Sequence, residues 1–149
     1  MVYQNPLFMK NRKVFSTAFA FFVSLAFIRC TPDTTGLTPS TEQILVQNAW
    51  AVDYYYHNQD MTSDYGSSRI LFSSTGAVGF QRAGQTIPGR WTKSLDALNN
   101  EVITLRFNTT DANITRLNES WKLTNRTTSA LQFEENDGTT GILFRIKTQ

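Results

Sequence analysis

The chain has 149 residues, which is long enough for one domain with its own hydrophobic core, and its formal net charge is +2. Four of its fourteen basic residues precede the single cysteine, Cys30, and all twelve acidic residues follow it, so the remainder offers no basic cluster for nucleic acid. Aromatic residues make up 13% of the chain, and long runs of strong helix formers are missing, which favours an all-β fold.

The first 29 residues have the pattern of a secretory signal peptide. Lys10, Arg12 and Lys13 are followed by fifteen uncharged, mostly apolar residues, 14–28. A membrane-spanning helix needs about 20 apolar residues, so a cleaved export signal is the better interpretation. Since Met9 opens this pattern, Met1 and Met9 are both candidate starts.

Cys30 and the segment after it resemble the junction of a bacterial lipoprotein. The apolar run ends at one cysteine, and "TPDTTGLTPS", residues 31–40, follows as a polar tether rich in threonine and proline. The resemblance implies that the Cys30 thiol carries a diacylglycerol, with a fatty acyl group such as palmitate on the new amino terminus. Arg29 stands where such proteins have a small residue, so an ordinary thiol in an uncleaved leader is the alternative.

A short helix and a set of strands are predicted from residue 41 to the end of the chain. Ser40 and Gln43 form a capping-box pattern, which predicts a helix over residues 41–48. Beyond it, apolar residues recur at every second position, as in half-buried strands. The predicted inward sets are Trp50, Val52, Tyr54 and Tyr56; Ile103, Leu105 and Phe107; Trp121 and Leu123; and Ile142, Phe144 and Ile146.

About eight such strands follow one another with short connections, two of which carry turn sequences at Ser74-Thr75-Gly76 and Asp137-Gly138. An eight-stranded antiparallel up-and-down barrel is the simplest architecture, because closure removes exposed strand edges. About ten inward rings would nearly fill it. We therefore expect a shallow pocket at one open end, with Tyr54, Tyr56 and Trp91 as candidate ligand-binding residues.

The order of these motifs resembles a family, the small lipocalin-like lipoproteins of Bacteroidota cell envelopes. The similarity covers about two thirds of the chain and includes "WAVDYYYHNQDMT" at residues 50–62, "ITLRF" at 103–107 and "LNESWKL" at 117–123. It implies a lipocalin-like eight-stranded barrel, residues 41–149, with an acylated amino terminus and no catalytic activity.

The residues also argue against an enzyme or a cofactor. His57 is the only histidine, and by strand parity it shares the predicted outer face with Asp53 and Tyr55; with one histidine and one cysteine, a zinc site is not expected. Asp60 and Asp64, at alternate positions of a polar loop, are weak candidates for calcium ligands, and a solvated loop is the simpler alternative.

These observations lead to two hypotheses about function. The first is a non-enzymatic, lipid-anchored binding protein of the cell envelope, in the outer membrane, which holds a small apolar or sugar-like ligand at one barrel end. Its rim would be formed by the loops in residues 58–67, 82–90 and 93–101. The second is a structural or inhibitory envelope protein that contacts other proteins through the barrel wall. A solid interior would favour the second.

Overall fold

The computed structural model describes residues 38–137 and 141–149, so the predicted signal peptide, Cys30 and most of the predicted tether lie outside the described residues. Two short α-helices, a 3-10 helix over Thr62–Tyr65 and eight strands make up the fold. The helices are α1 (Thr41–Gln47) and α2 (Ala112–Thr115). The strands are β1 (Ala49–His57), β2 (Arg69–Phe72), β3 (Ala77–Arg82), β4 (Gln85–Leu95), β5 (Glu101–Phe107), β6 (Ser120–Arg126), β7 (Ala130–Glu135) and β8 (Ile142–Thr148).

The eight strands form one closed barrel in chain order, which confirms the predicted all-β, up-and-down architecture. Every neighbouring pair is antiparallel, and β1 closes the barrel by pairing with β8 from Trp50 opposite Thr148 to His57 opposite Ile142. Among the described residues no helix has the length and apolar character needed to span a bilayer.

Alternation of apolar and polar side chains sets the inward face of most strands. Ile103, Leu105 and Phe107 of β5 are buried as predicted, and so are the three apolar residues predicted for β8. Trp121 of β6 is completely buried and Leu123 is partly buried against the same core. These residues form one continuous cluster, so the hydrophobic effect stabilises the barrel from within.

Strand β1 departs from the predicted parity. Its register with β8 shifts between Val52 and Tyr54, which places Asp53 in a β-bulge. The bulge adds one residue and reverses the side-chain alternation beyond it. Tyr55 is therefore only 1% exposed and faces the core, whereas Tyr54 and Tyr56 point outward and stack with ring centroids 6.4 Å apart. The prediction that Tyr54 and Tyr56 face the interior, and Tyr55 the solvent, was wrong.

A second bulge lies in β6, between Leu123 and Asn125, where the register with β7 shifts. Thr124 is the additional residue, and both Thr124 and Asn125 are exposed. Strands β7 and β8 thus lie between two bulged strands, β6 and β1, and bulges increase the local bend and twist of a sheet.

The two ends of the barrel carry different connections. The helix end carries α1 and the turns at residues 73–76, 96–100 and 127–129. The loop end carries the long connections 58–68 and 108–119, the turn at 83–84 and the link from β7 to β8. The predicted single rim was therefore wrong. Residues 93–101 lie at the opposite end from 58–67, and residues 82–90 are mostly strand, because Ala83 and Gly84 alone form the turn with φ of 50° and 80°.

The helix end is covered by α1. The predicted capping box is present at Ser40 and Gln43, and the helix ends at Gln47, one residue before the predicted end. Ile44 and Leu45 are buried, and the Trp50 Nε1 donates a hydrogen bond to the Leu45 carbonyl at 2.9 Å. The helix therefore closes this end as part of the core.

The loop end is covered by the two long connections. Ile114 and Leu117, both in the second connection, are completely buried. Three ring groups donate to carbonyl oxygens of residues 113–117: Tyr65 Oη to Asn113 at 2.8 Å, Tyr55 Oη to Arg116 at 3.3 Å and Trp121 Nε1 to Leu117 at 3.0 Å. Burial raises the pKa of Tyr55 to about 12, so it remains a neutral donor.

Asn118 takes the place of a strand residue beside the end of β5. The β5–β6 ladder covers only residues 102–104, but the Asn118 side chain accepts from the Phe107 N–H and donates to the Phe107 carbonyl at 3.1 Å. We expect Asn118→Ala to lower the free energy of unfolding by about 1–3 kcal/mol, because both backbone groups lose a partner. Urea unfolding of this variant and of Asn108→Ala, at an exposed neighbouring position, measures the difference; equal losses would contradict this role.

Candidate binding surface on the outer wall

The barrel interior is occupied by the protein's own rings. Trp121 contacts Phe144 with centroids 5.0 Å apart and Tyr55 at 6.3 Å, and Phe133 stacks on Phe144 at 5.7 Å. Such a cluster has the geometry of stabilising aromatic pairs. With both ends covered by core residues, the described grooves lie on the outer surface.

The structure does not bring the three predicted ligand-binding residues together. Trp91 is 5% exposed, packs edge-on against Phe72 at 5.4 Å and donates its Nε1 to the Ser73 carbonyl at 2.9 Å. It is part of the core on β4, whereas Tyr54 and Tyr56 lie on the outer face of β1. Trp91 therefore stabilises the turn after β2 and is no partner for the two tyrosines.

The two candidate metal ligands have separate protein partners. Asp60 accepts from the Thr62 N–H at 2.9 Å, and a hydrogen bond from the Thr62 hydroxyl lowers the Asp60 pKa. Asp64 lies 3.7 Å from the Arg116 guanidinium. Within residues 38–137 and 141–149, no three metal-binding side chains are grouped together. The local structure is that of a turn and an ion pair.

A groove of about 490 Å³ crosses the outer wall near the helix end, and we call it the β6–β1 groove. It lies between the two bulged strands, over β7 and β8. Eight of its ten lining residues have polar or charged side chains, and the full set is Asp53, Asn125, Thr127, Ser129, Ala130, Leu131, Gln132, Arg145, Lys147 and Thr148.

Charge in this groove is arranged around Asp53. Arg145 Nε lies 2.5 Å from its Oδ2, and Lys147 Nζ lies 2.7 Å from its Oδ1. The hydrogen bond from Lys147, together with Arg145, holds the pKa of Asp53 below its ordinary value. The groove therefore has a fixed carboxylate and two cations, and these groups suit recognition of a polar surface more than proton transfer.

Aromatic surface continues from this groove along β1. The Arg145 guanidinium lies 5.8 Å from the Tyr54 ring centroid, and Tyr54 is stacked with Tyr56. Cation–π contact and stacking hold both rings in place. The outer wall thus combines hydrogen-bonding groups, charge and a pair of stacked aromatic rings.

The interior of the loop end carries one polar group that was not predicted. Glu135 pairs in register with Trp121 and follows the inward residues Leu131 and Phe133. Its Oε2 is buried without a hydrogen-bond partner in the described part of the chain, and burial raises the Glu135 pKa. Parity could have found this position, because Glu135 continues the inward series of β7.

Comparison with known proteins found no matching family model, no matching curated protein and no matching solved structure.

Proposed function

We propose that this chain is a non-enzymatic, lipid-anchored protein of the cell envelope that binds a partner protein through the β6–β1 groove. The observation that carries the proposal is the filled and covered barrel: core rings occupy the interior, α1 covers the helix end, and residues 58–68 and 108–119 cover the loop end. A ligand in the barrel would have to displace this core, so recognition takes place on the outer wall.

The groove supports this role by its chemistry. Its ion-paired Asp53 and its hydroxyl and amide groups offer donors and acceptors for a polypeptide surface, and Tyr54 adds a rigid ring beside them. Tyrosine and arginine are enriched where proteins contact each other. The anchor at Cys30 would place the groove in the envelope at the end of a tether of about ten residues.

A sugar-like ligand on the same wall is a second candidate, favoured by the outward stack of Tyr54 and Tyr56. A flat pair of rings beside hydroxyl and amide groups suits a sugar face. In this second candidate function a sugar, in place of a partner protein, binds the same outer surface.

A photo-crosslinking residue at Gln132, within the groove, tests the proposal in cells of the native host. We expect ultraviolet light to produce a crosslinked protein adduct from the membrane fraction. The same residue at Thr86, exposed on the outer face of β4, is the matched control and should give no adduct. Equal adducts at both positions, or none at Gln132, would contradict a protein partner in the groove.

A further inference from the structure

Two arginines face each other on the outer wall far from the β6–β1 groove. Arg90 of β4 and Arg106 of β5 are directly opposite in the antiparallel ladder, and both are exposed. Like charges at directly opposite positions destabilise a strand pair. The pair is therefore a local cost to the fold.

Neither arginine has an acidic partner among the described residues. The Arg106 guanidinium donates to its neighbour's carbonyl, that of Leu105, at 2.7 Å. The outward neighbours are uncharged, with Ala77 opposite Arg90 on β3, and Thr92 and Thr104 next along β4 and β5. By contrast, three other cations on this part of the barrel each have an acidic partner: Arg82 pairs with Asp111, Lys93 with Glu101, and Lys122 with Glu134.

The two arginines flank a groove of about 410 Å³, which we call the β4–β5 groove. The other lining residues are Pro88, Gly89, Phe107 and Asn108. The strands approach closely here, since a Cβ on Gly89 would lie 2.5 Å from the Arg106 carbonyl oxygen and 2.9 Å from the Phe107 ring. Only glycine fits at this position of β4, and its lack of a Cβ lets β4 and β5 approach each other beneath the groove.

We propose that the β4–β5 groove binds a phosphate group through Arg90 and Arg106. A guanidinium presents a planar fork of donors that matches phosphate oxygens, and two such forks on neighbouring strands can hold one phosphate between them. A bound dianion would also remove the repulsion between the two arginines. This site does not depend on a partner in the β6–β1 groove.

The phosphate could belong to a soluble molecule or to a membrane lipid. Residues 106–108 are at the loop end of β5, whereas the chain enters the domain through α1 at the helix end. A phosphorylated small molecule and the head group of a phospholipid share the chemistry that the arginines recognise. Two probes separate these sources.

Amide chemical shifts of the full chain in nonionic micelles test the proposal at 150 mM salt. One titration uses inorganic phosphate, and the other uses phosphatidic acid added to the micelles. We expect the amides of Arg90, Phe107 and Asn108 to shift saturably with at least one probe. A response to inorganic phosphate assigns a soluble phosphate, and a response to phosphatidic acid alone assigns a lipid head group. Absence of a saturable shift with both probes overturns the proposal.

Two variants and one control test whether Arg90 and Arg106 are the side chains that bind phosphate. Arg90→Gln and Arg106→Gln should each weaken binding about tenfold or more, because each removes a charge-assisted contact. Arg69→Gln, at an exposed arginine of β2 outside this groove, should leave binding unchanged. Thermal unfolding without ligand should show Arg90→Gln to be at least as stable as the parent chain, since repulsion is lost. Equal weakening in all three variants would overturn the site.

Discussion

Replacing Cys30 with serine is expected to abolish acylation of the protein and its retention in the outer membrane. The thiol is the proposed attachment point for a diacylglycerol, and Cys30 is the only cysteine of the chain. One acyl chain gives marginal membrane binding, and two or more give stable anchoring, so loss of the diacylglycerol removes most of the affinity. Metabolic labelling with an alkyne analogue of palmitate, followed by membrane fractionation, measures both effects.

Thr31→Ser is the matched control for this experiment, since it changes the adjacent residue and keeps the thiol. It should be labelled as strongly as the parent chain. Label that persists in Cys30→Ser would contradict attachment at this cysteine. An unlabelled parent chain that retains residues 9–29 would show instead that Cys30 is an ordinary thiol behind an uncleaved leader.

Replacing Trp121 with alanine is expected to give the largest loss of stability in the barrel, about 3–5 kcal/mol. The side chain is completely buried and contacts the rings of Tyr55 and Phe144. Its Nε1 also ties the Leu117 carbonyl to the core at 3.0 Å. The substitution removes ring packing and a buried hydrogen bond together, and so loosens the cover of the loop end. Urea unfolding measures the loss.

A second variant separates the ring packing from the hydrogen bond, and a third serves as the control. Trp121→Phe keeps a ring and loses the donor, so we expect a smaller loss than for alanine. Leu98→Ala removes an apolar side chain that is 81% exposed, and it should change stability by no more than about 0.5 kcal/mol. A loss for Trp121→Ala as small as that for Leu98→Ala would mean that the ring cluster does not hold the barrel together.

The barrel could be predicted from sequence because most strands have a strict alternation. In β8, Ile142, Phe144 and Ile146 are buried and alternate with Arg145 and Lys147, so only one face can turn inward. Turn sequences at short intervals then leave an antiparallel meander as the simplest order. The alternation within single strands is therefore sufficient to predict the antiparallel barrel.

Strand β1 could not be predicted in the same way. Its three consecutive tyrosines satisfy either parity, so local pattern does not decide whether Tyr54 or Tyr55 is buried. The register with β8 decides it, through the bulge at Asp53 and the pairs that this carboxylate forms with Arg145 and Lys147. Those partners lie more than 90 residues away in sequence, where periodicity carries no information.

The candidate site escaped prediction for the same reason. The β6–β1 groove is assembled from four strands and one turn, and its residues become neighbours only when β1 closes on β8. The sequence pointed to a pocket inside one open end of the barrel. Both ends are covered, by Leu45 at one and Leu117 at the other, and hydrogen bonds from Trp50 and Trp121 hold these covers in place.

Native mass spectrometry of the full protein extracted from the membranes of its own host tests the central claim, recognition on the outside of a filled barrel, most directly. We expect the acylated chain, alone or with a second protein, and no small apolar molecule retained in a one-to-one ratio. Collisional activation should release any partner protein before the barrel unfolds. A small apolar molecule that stays bound until the barrel itself unfolds would place the ligand inside and contradict the account.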